Sequence, residues 1–204
     1  MKTNRILAIF FFASLWGALE AGWGGFLYSR HLPFSSASLT VAGFIILTIA
    51  RGYLPFRGSS SLIAAIAMLY KFFNAPFYAC HLLAILLLGV AYDLLFGLFR
   101  QRSKALFGVC VTYLGYLLFA LTITYVFRYH YWIDEGLPRI IRYVAGSGSL
   151  AAVGSCFALP FAFRISARLS RSPLNLFDLR FRFAPVSISL ITVFLWSLSL
   201  TQSL

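Results

Sequence analysis

The sequence predicts an all-α, polytopic integral membrane protein: one transmembrane domain over residues 1–204, with a six-helix core and a seventh C-terminal span. Three observations predict it. Hydrophobic residues make up 61% of the chain and charged residues 11%, whereas soluble domains carry about a quarter charged residues and are roughly half apolar. The mean hydropathy of +0.87 implies more apolar surface than a water-soluble fold can hide. The apolar residues also fall in runs of spanning length, separated by short segments rich in Lys, Arg, Pro, Gly and Ser.

The first run covers 6–28. It is too long for the apolar part of a cleaved signal, so Lys2 and Arg5 ahead of it are read as the flank of a retained helix. The second covers 37–54. The third covers 59–75 and stops at Asn74-Ala75-Pro76, because the residue before a proline avoids helical geometry. The fourth covers 77–99 and the fifth 105–127. The sixth, 138–163, starts at Pro138, where a proline suits the first helical turn. The seventh, 184–202, has Pro185 in its first turn. The core is thus 6–165 and the extra span about 184–202. Between them, residues 176–183 alternate apolar and charged side chains, as expected of a stretch lying in the headgroups. The 128–137 loop has Tyr129, Tyr131 and Trp132 for an interfacial belt, with Asp134-Glu135 as a solvated acidic pair.

A net charge of +12 would point to nucleic acid in a soluble chain. Here the basic residues sit between apolar runs, and no nucleic-acid partner is expected. With the N-terminus inside, twelve of the 17 Lys and Arg fall on the inner side. This predicts a multi-pass protein of the cell (cytoplasmic) membrane with a cytoplasmic N-terminus. Cys80, Cys110 and Cys156 each lie in an apolar run. Their odd number and wide spacing suggest packing residues, not a disulfide framework or metal site. No cofactor is expected.

Ionisable groups inside a span are costly and mark candidate sites. Glu20 lies about 21 Å along the first helix from Ile6, at ~1.5 Å per residue. Lys71, late in the third span, and His81, one turn into the fourth, share its outer depth. Asn74 and Pro76 interrupt the helical pattern there, which membranes tolerate where backbone lines a cavity or is buried in protein. The expected substrate-binding residues are Glu20, Trp23, Lys71, Asn74 and His81, around a pocket opening outward. Glu20 would neutralise an amine, and Trp16, Trp23 and Tyr28 would stack on a flat ring. The alternative is structural: Lys71 snorkels, His81 sits at the interface and Glu20 belongs to a buried network. Asp93 is expected to pair with Arg100, two turns along its own helix.

Ala13, Gly17, Ala21 and Gly25 recur every fourth residue and form a track that lets another helix approach closely. The spacing fits a partner-helix interface and internal packing equally. This track resembles the alanine-spaced motif of energy-coupling factor (ECF) transporter S components, the substrate-binding membrane subunits of that transporter type. The stretch Gly43-Phe44-Ile45-Ile46-Leu47-Thr48-Ile49-Ala50-Arg51, then Gly58-Ser59-Ser60-Ser61 and Lys71, looks like S-component-like proteins. Glycines stand at two of the alanine positions, and a seventh span follows the six that the family has. The resemblance implies a six-helix protein whose first helix meets a transmembrane coupling subunit. It also implies that the 29–36 loop closes over a vitamin-like ligand and that separate ATPases supply energy. This chain has no Walker A pattern.

The expected function is therefore substrate binding for uptake of a small molecule, and not enzymatic. A structural or assembly subunit is the alternative, with autonomous transport behind it. An intramembrane enzyme is less well supported. Ser147 and Ser149 in Gly146-Ser147-Gly148-Ser149 lack a nucleophile-elbow sequence, and His31, His81 and His130 are isolated.

Overall fold

A computed structural model describes residues 2–30, 34–72, 79–99 and 103–171. Among them are seven helices and no strand. Helix α1 runs through Lys2–Leu19, widens into a π-turn at Glu20–Gly24 and finishes as Gly25–Ser29. Helices α2 (Ser35–Tyr53), α3 (Ser59–Phe72) and α4 (Ala79–Leu98) follow. Helix α5 is Lys104–Leu121 with a π-turn at Thr122–Val126, and α6 is the short His130–Ile133. Helix α7 begins at Leu137–Tyr143, passes through a π-turn at Val144–Gly148 and continues as Ser149–Arg171.

Five of these helices are long and apolar enough to cross a membrane: Arg5–Leu27, Ser35–Tyr53, Cys80–Leu98, Lys104–Val126 and Leu137–Ser170. The fold is that of an all-α membrane protein. Helix α3 has 14 described residues, about 21 Å at ~1.5 Å per residue, short of the roughly 30 Å hydrocarbon layer. Residues 73–75 of its predicted run, the 176–183 stretch and the seventh span at 184–202 lie outside the described residues. The sixth predicted run is longer than expected. It continues past 163 to Arg171 with Pro160 inside the helix. Proline removes one hydrogen bond, but in apolar surroundings the neighbouring backbone groups have no water to turn to, so the helix continues.

Helix α1 packs on α2 and α3, α3 on α4, α4 on α5, α5 on α7, and α7 back on α2. The six long helices thus close a ring. Its middle is filled by fully buried Trp16, Phe44, Leu47, Tyr92, Phe107, Val111 and Leu159. Small residues bring the seams close. A Cβ on Gly108 would stand 2.6 Å from the Ser155 carbonyl oxygen, and one on Gly17 would stand 2.8 Å from Tyr70 Cβ. Buried hydroxyls pair across helices: Tyr92 donates to Thr48 (3.0 Å) and Thr112 to Ser155 (2.9 Å).

The ring has two unlike ends. At one, Lys104 Nζ sits over the Phe163 ring, the Ser166 hydroxyl donates to the Ile49 carbonyl (3.4 Å), and a buried ion pair joins Arg51 to Asp93 at 2.9 Å. We call this the basic end, since Arg57, Arg164 and Arg168 join it. The Arg51 guanidinium also donates to the Phe56 carbonyl (2.7 Å) and to Ser59 Oγ, and lies 4.4 Å from the centre of the Phe96 ring. The second Asp93 oxygen accepts from the Ser61 backbone N–H (2.7 Å) and hydroxyl (2.8 Å). Asp93 therefore has a partner on α2, a helix that one-dimensional spacing does not connect to it. Arg100, the partner expected from spacing, lies outside the described residues.

At the far end, α6 forms a cap. Trp132 packs edge-on against Phe119 (5.7 Å) and Tyr143 (5.1 Å). Glu135 is not simply solvated: it accepts from Arg139 and Arg142, each at 2.7 Å. Arg139 also lies 3.5 Å from the centre of the Tyr131 ring.

Candidate functional site

Glu20 is the first residue of the α1 π-turn and is buried, at 6% exposure. One helical turn earlier is Trp16, whose indole N–H donates to Glu20 Oε1 at 3.4 Å. Trp16 has no exposed surface and is held by Gly43 of α2, where a Cβ would stand 2.8–3.0 Å from three atoms of the indole ring. The glycine at 43 therefore lets the α1 indole lie close against α2, and the indole N–H holds the carboxylate. Gly24 works alongside. A Cβ there would meet Leu39 of α2 at 3.5 Å and Glu20 Oε2 at 3.7 Å. A π-turn inserts an extra residue into the helix and often marks a functional position. Here it carries the only acidic residue of α1.

Gly43→Ala is expected to displace the Trp16 ring, since a rigid indole cannot yield at such distances. Overpacking of this kind costs about 1–3 kcal/mol. The change should also shift and broaden tryptophan emission. Unchanged stability and emission would show that Trp16 does not rest on Gly43.

The same half of the ring holds further polar groups. Tyr116 of α5 is buried, and its hydroxyl stands beside Thr40 and Ser36 of α2 without closing a hydrogen bond of full geometry. Thr124, within the α5 π-turn, is 1% exposed, and its hydroxyl finds no partner among the described residues. Gly148, in the α7 π-turn, packs on the Tyr116 ring, with a Cβ there 3.4 Å from two of its atoms. All three described π-turns thus lie in the far half, on α1, α5 and α7. Buried hydroxyls normally find a hydrogen-bond partner, so the Thr124 hydroxyl leaves hydrogen-bonding capacity in this layer.

The sequence-predicted site residues do not all converge. Trp23 faces away from Glu20. It is 49% exposed, stacks on Phe26 with ring centres 5.6 Å apart, and lines an apolar groove of about 630 Å³ on the flank of α1, α2 and α7. The structure thus places Trp23 on the flank and not beside the carboxylate, because the wider π-turn rotates residue 23 outward. His81 is half-buried near the start of α4, and neither it nor Glu20 is without a partner. Lys71 stands in the last turn of α3, one residue after Tyr70, whose hydroxyl accepts from Ser14 of α1 (3.0 Å). The Lys71 side chain and Asn74 lie outside the described residues.

The small-residue track is used mainly within the chain. Ala13 and Ala21 are buried, and Gly17 faces Tyr70 of α3. Only Gly25 is exposed with open space around it, so a partner helix would meet just the end of the track. Sequence reasoning missed Thr124 and Tyr116 as candidates, because hydroxyls are too common in spans to stand out. It also treated Trp16 as a deep stacking residue, although the i,i+4 spacing to Glu20 was a usable signal for a donor. Ser149, from the serine-rich stretch, pairs its hydroxyl with that of Tyr113 (2.8 Å). Among the described residues, no cluster of His, Cys, Asp or Glu could hold a metal.

No protein-family model matches this chain, and no curated protein or solved structure matches it either.

Proposed function

We propose that the protein is a membrane-embedded substrate-binding subunit for uptake of a small, amine-bearing molecule. It would work with a separate transmembrane coupling subunit and ATPases. By the positive-inside rule the basic end would face the cytoplasm, with the N-terminus on the inner side of the cell membrane and the Glu20 layer toward the outer face. The observation that supports binding is the polar layer itself. A carboxylate is buried there on a π-turn, in the same half of the ring as the buried Tyr116 hydroxyl and the Thr124 hydroxyl, the latter without a partner among the described residues. Intramembrane carboxylates are retained where they bind or relay charge, and an ammonium group is the ligand chemistry a buried carboxylate recognises.

The test is ligand-induced thermal stabilisation of the purified full chain, against primary amines, quaternary ammonium compounds and zwitterionic amino acids. Glu20→Gln is expected to weaken binding of any hit by more than tenfold, since truncating one partner of a buried charge pair costs about 2–5 kcal/mol. A hit retained at full affinity in Glu20→Gln would remove Glu20 from the site. The alternative reading, a structural or assembly subunit, is favoured by the exposed Gly22 and Gly25 surface. It would be supported by a stable complex containing no ATPase and unaffected by Glu20→Gln.

A further inference from the structure

The groove on the flank of α1, α2 and α7 is walled on one side by Trp23 and Leu27 and on the other by Leu150 and Gly154. Its floor follows one face of α2 from Ser35 to Ile45, a rise of about 15 Å at ~1.5 Å per residue. That is the depth of one leaflet, half of the roughly 30 Å hydrocarbon layer. The floor is closed, because a Cβ on Gly154 would stand 2.8 Å from Val41 Cγ2, so a guest lies along α2 and does not pass behind it. The groove holds about 630 Å³, within the range of about 300–1,000 Å³ common for small-molecule sites. Left unfilled, its apolar walls would lack contact partners on one side.

The far end of this apolar groove carries a positive charge. Trp23, Phe26 and Arg30 follow at i, i+3 and i+7 along one stripe of α1. The Trp23 and Phe26 rings stack with centres 5.6 Å apart, and the Arg30 guanidinium lies 5.8 Å from the centre of the Phe26 ring. Arg30 is exposed and makes no ion pair among the described residues. The Ser38 hydroxyl on the same rim is already engaged, donating to the Ser35 carbonyl (3.0 Å), so Arg30 is the group there that calls for a counter-charge. Tryptophan and arginine at the end of a span mark the headgroup level. We propose that the groove seats one anionic phospholipid of the far-end leaflet, with an acyl chain along α2 and its phosphate on Arg30. The guanidinium matches phosphate oxygens in geometry as well as charge, and the groove matches the chain in length and polarity. A second copy of the protein fits less well: a twofold dimer centred here would set one concave face against another and bring two Arg30 side chains to the same rim.

The test is quenching of Trp23 emission by brominated lipid, on the full chain in bilayer nanodiscs of phosphatidylcholine. One series carries increasing fractions of phosphatidylglycerol brominated on its acyl chains, and a second carries phosphatidylcholine brominated in the same way. The Trp23 signal is the difference between the wild type and Trp23→Phe. Half-quenching is expected at a roughly fivefold lower fraction of the brominated phosphatidylglycerol, since one basic residue at an anionic headgroup contributes ~1 kcal/mol. Arg30→Gln is expected to bring the two curves together and Arg30→Lys to keep them apart. Ala42→Phe, which fills the floor of the groove, is expected to weaken quenching by both lipids, whereas Leu117→Phe, exposed on α5, leaves both curves in place. Two results overturn the proposal. Coincident curves in the wild type would show that the groove holds only the general lipid around the helices. Quenching of Trp23 by neither lipid would show that protein covers the groove, and crosslinked dimers in the same nanodiscs would identify the cover as a second copy.

Discussion

Arg51→Leu is expected to destabilise the protein by about 3–5 kcal/mol, because it leaves the Asp93 carboxylate buried without its counter-charge. For a chain of this size that is a drop of roughly 10 °C in the detergent-solubilised thermal midpoint. The two side chains are 6% and 12% exposed and 2.9 Å apart, so neither reaches solvent by a change of rotamer. The two Ser61 bonds to Asp93 would remain, but dipoles do not replace a full charge. The double variant Arg51→Leu/Asp93→Leu is expected to recover most of the loss, since replacing a buried pair by apolar groups is often close to neutral. A loss below about 1 kcal/mol for the single variant would place the pair among weak, solvated ion pairs. The network joins α2, α3 and α4 at the basic end, so proteolytic susceptibility of the 54–58 turn should rise in the single variant and not in the double.

Gly89→Leu is expected to cost about 3 kcal/mol or more and to split the α3–α4 seam. Even a Cβ at position 89 would collide with Ala64 Cβ and approach the Ser60 carbonyl oxygen to 2.8 Å. One obstacle is backbone and the other a methyl, and neither can swing aside, so the helices must separate. Overpacking typically costs 1–3 kcal/mol and more where backbone must move. Helix α3 is also held on its other side by α1, through Gly17 against Tyr70, so the strain falls on the α3–α4 seam. Gly97→Leu, eight residues further along α4, has open space around it and is expected to be neutral or slightly stabilising through helix propensity. Equal behaviour of the two variants in a thermal denaturation series would show that the close α3–α4 approach is not present.

Most of the architecture was legible in the sequence. Apolar runs located α2, α4 and α5 to within two residues, because span length and flanking charges are local properties. Pro138 marked the start of α7, and the helix ran past the expected end at 163 to Arg171, because basic residues at a helix end can continue it into the headgroups. The burial of Glu20 was legible as an isolated carboxylate in a long apolar run. Its π-turn was not: whether a helix admits an extra residue depends on what Leu39 and Gly43 of α2 leave room for. That turn sent Trp23 to the flank and left Trp16, one turn before Glu20, as the donor. Ala13, Gly17 and Ala21 were legible as a close-packing track, while its occupant, α3 through Tyr70, required the order of helices in the ring.

Composition and periodicity by themselves determined that this chain is all-α, apolar enough for lipid, and charged asymmetrically at the two ends of its helices. Each of these is a sum over neighbouring residues. Only the tertiary structure decided that Asp93 meets Arg51, that Trp16 supports Glu20, and that Trp23 lines a groove instead of the polar layer. Those outcomes depend on the rotation of each helix and on which helices adjoin, and they are set by whether a glycine on one helix faces a ring, a carbonyl or a methyl on another.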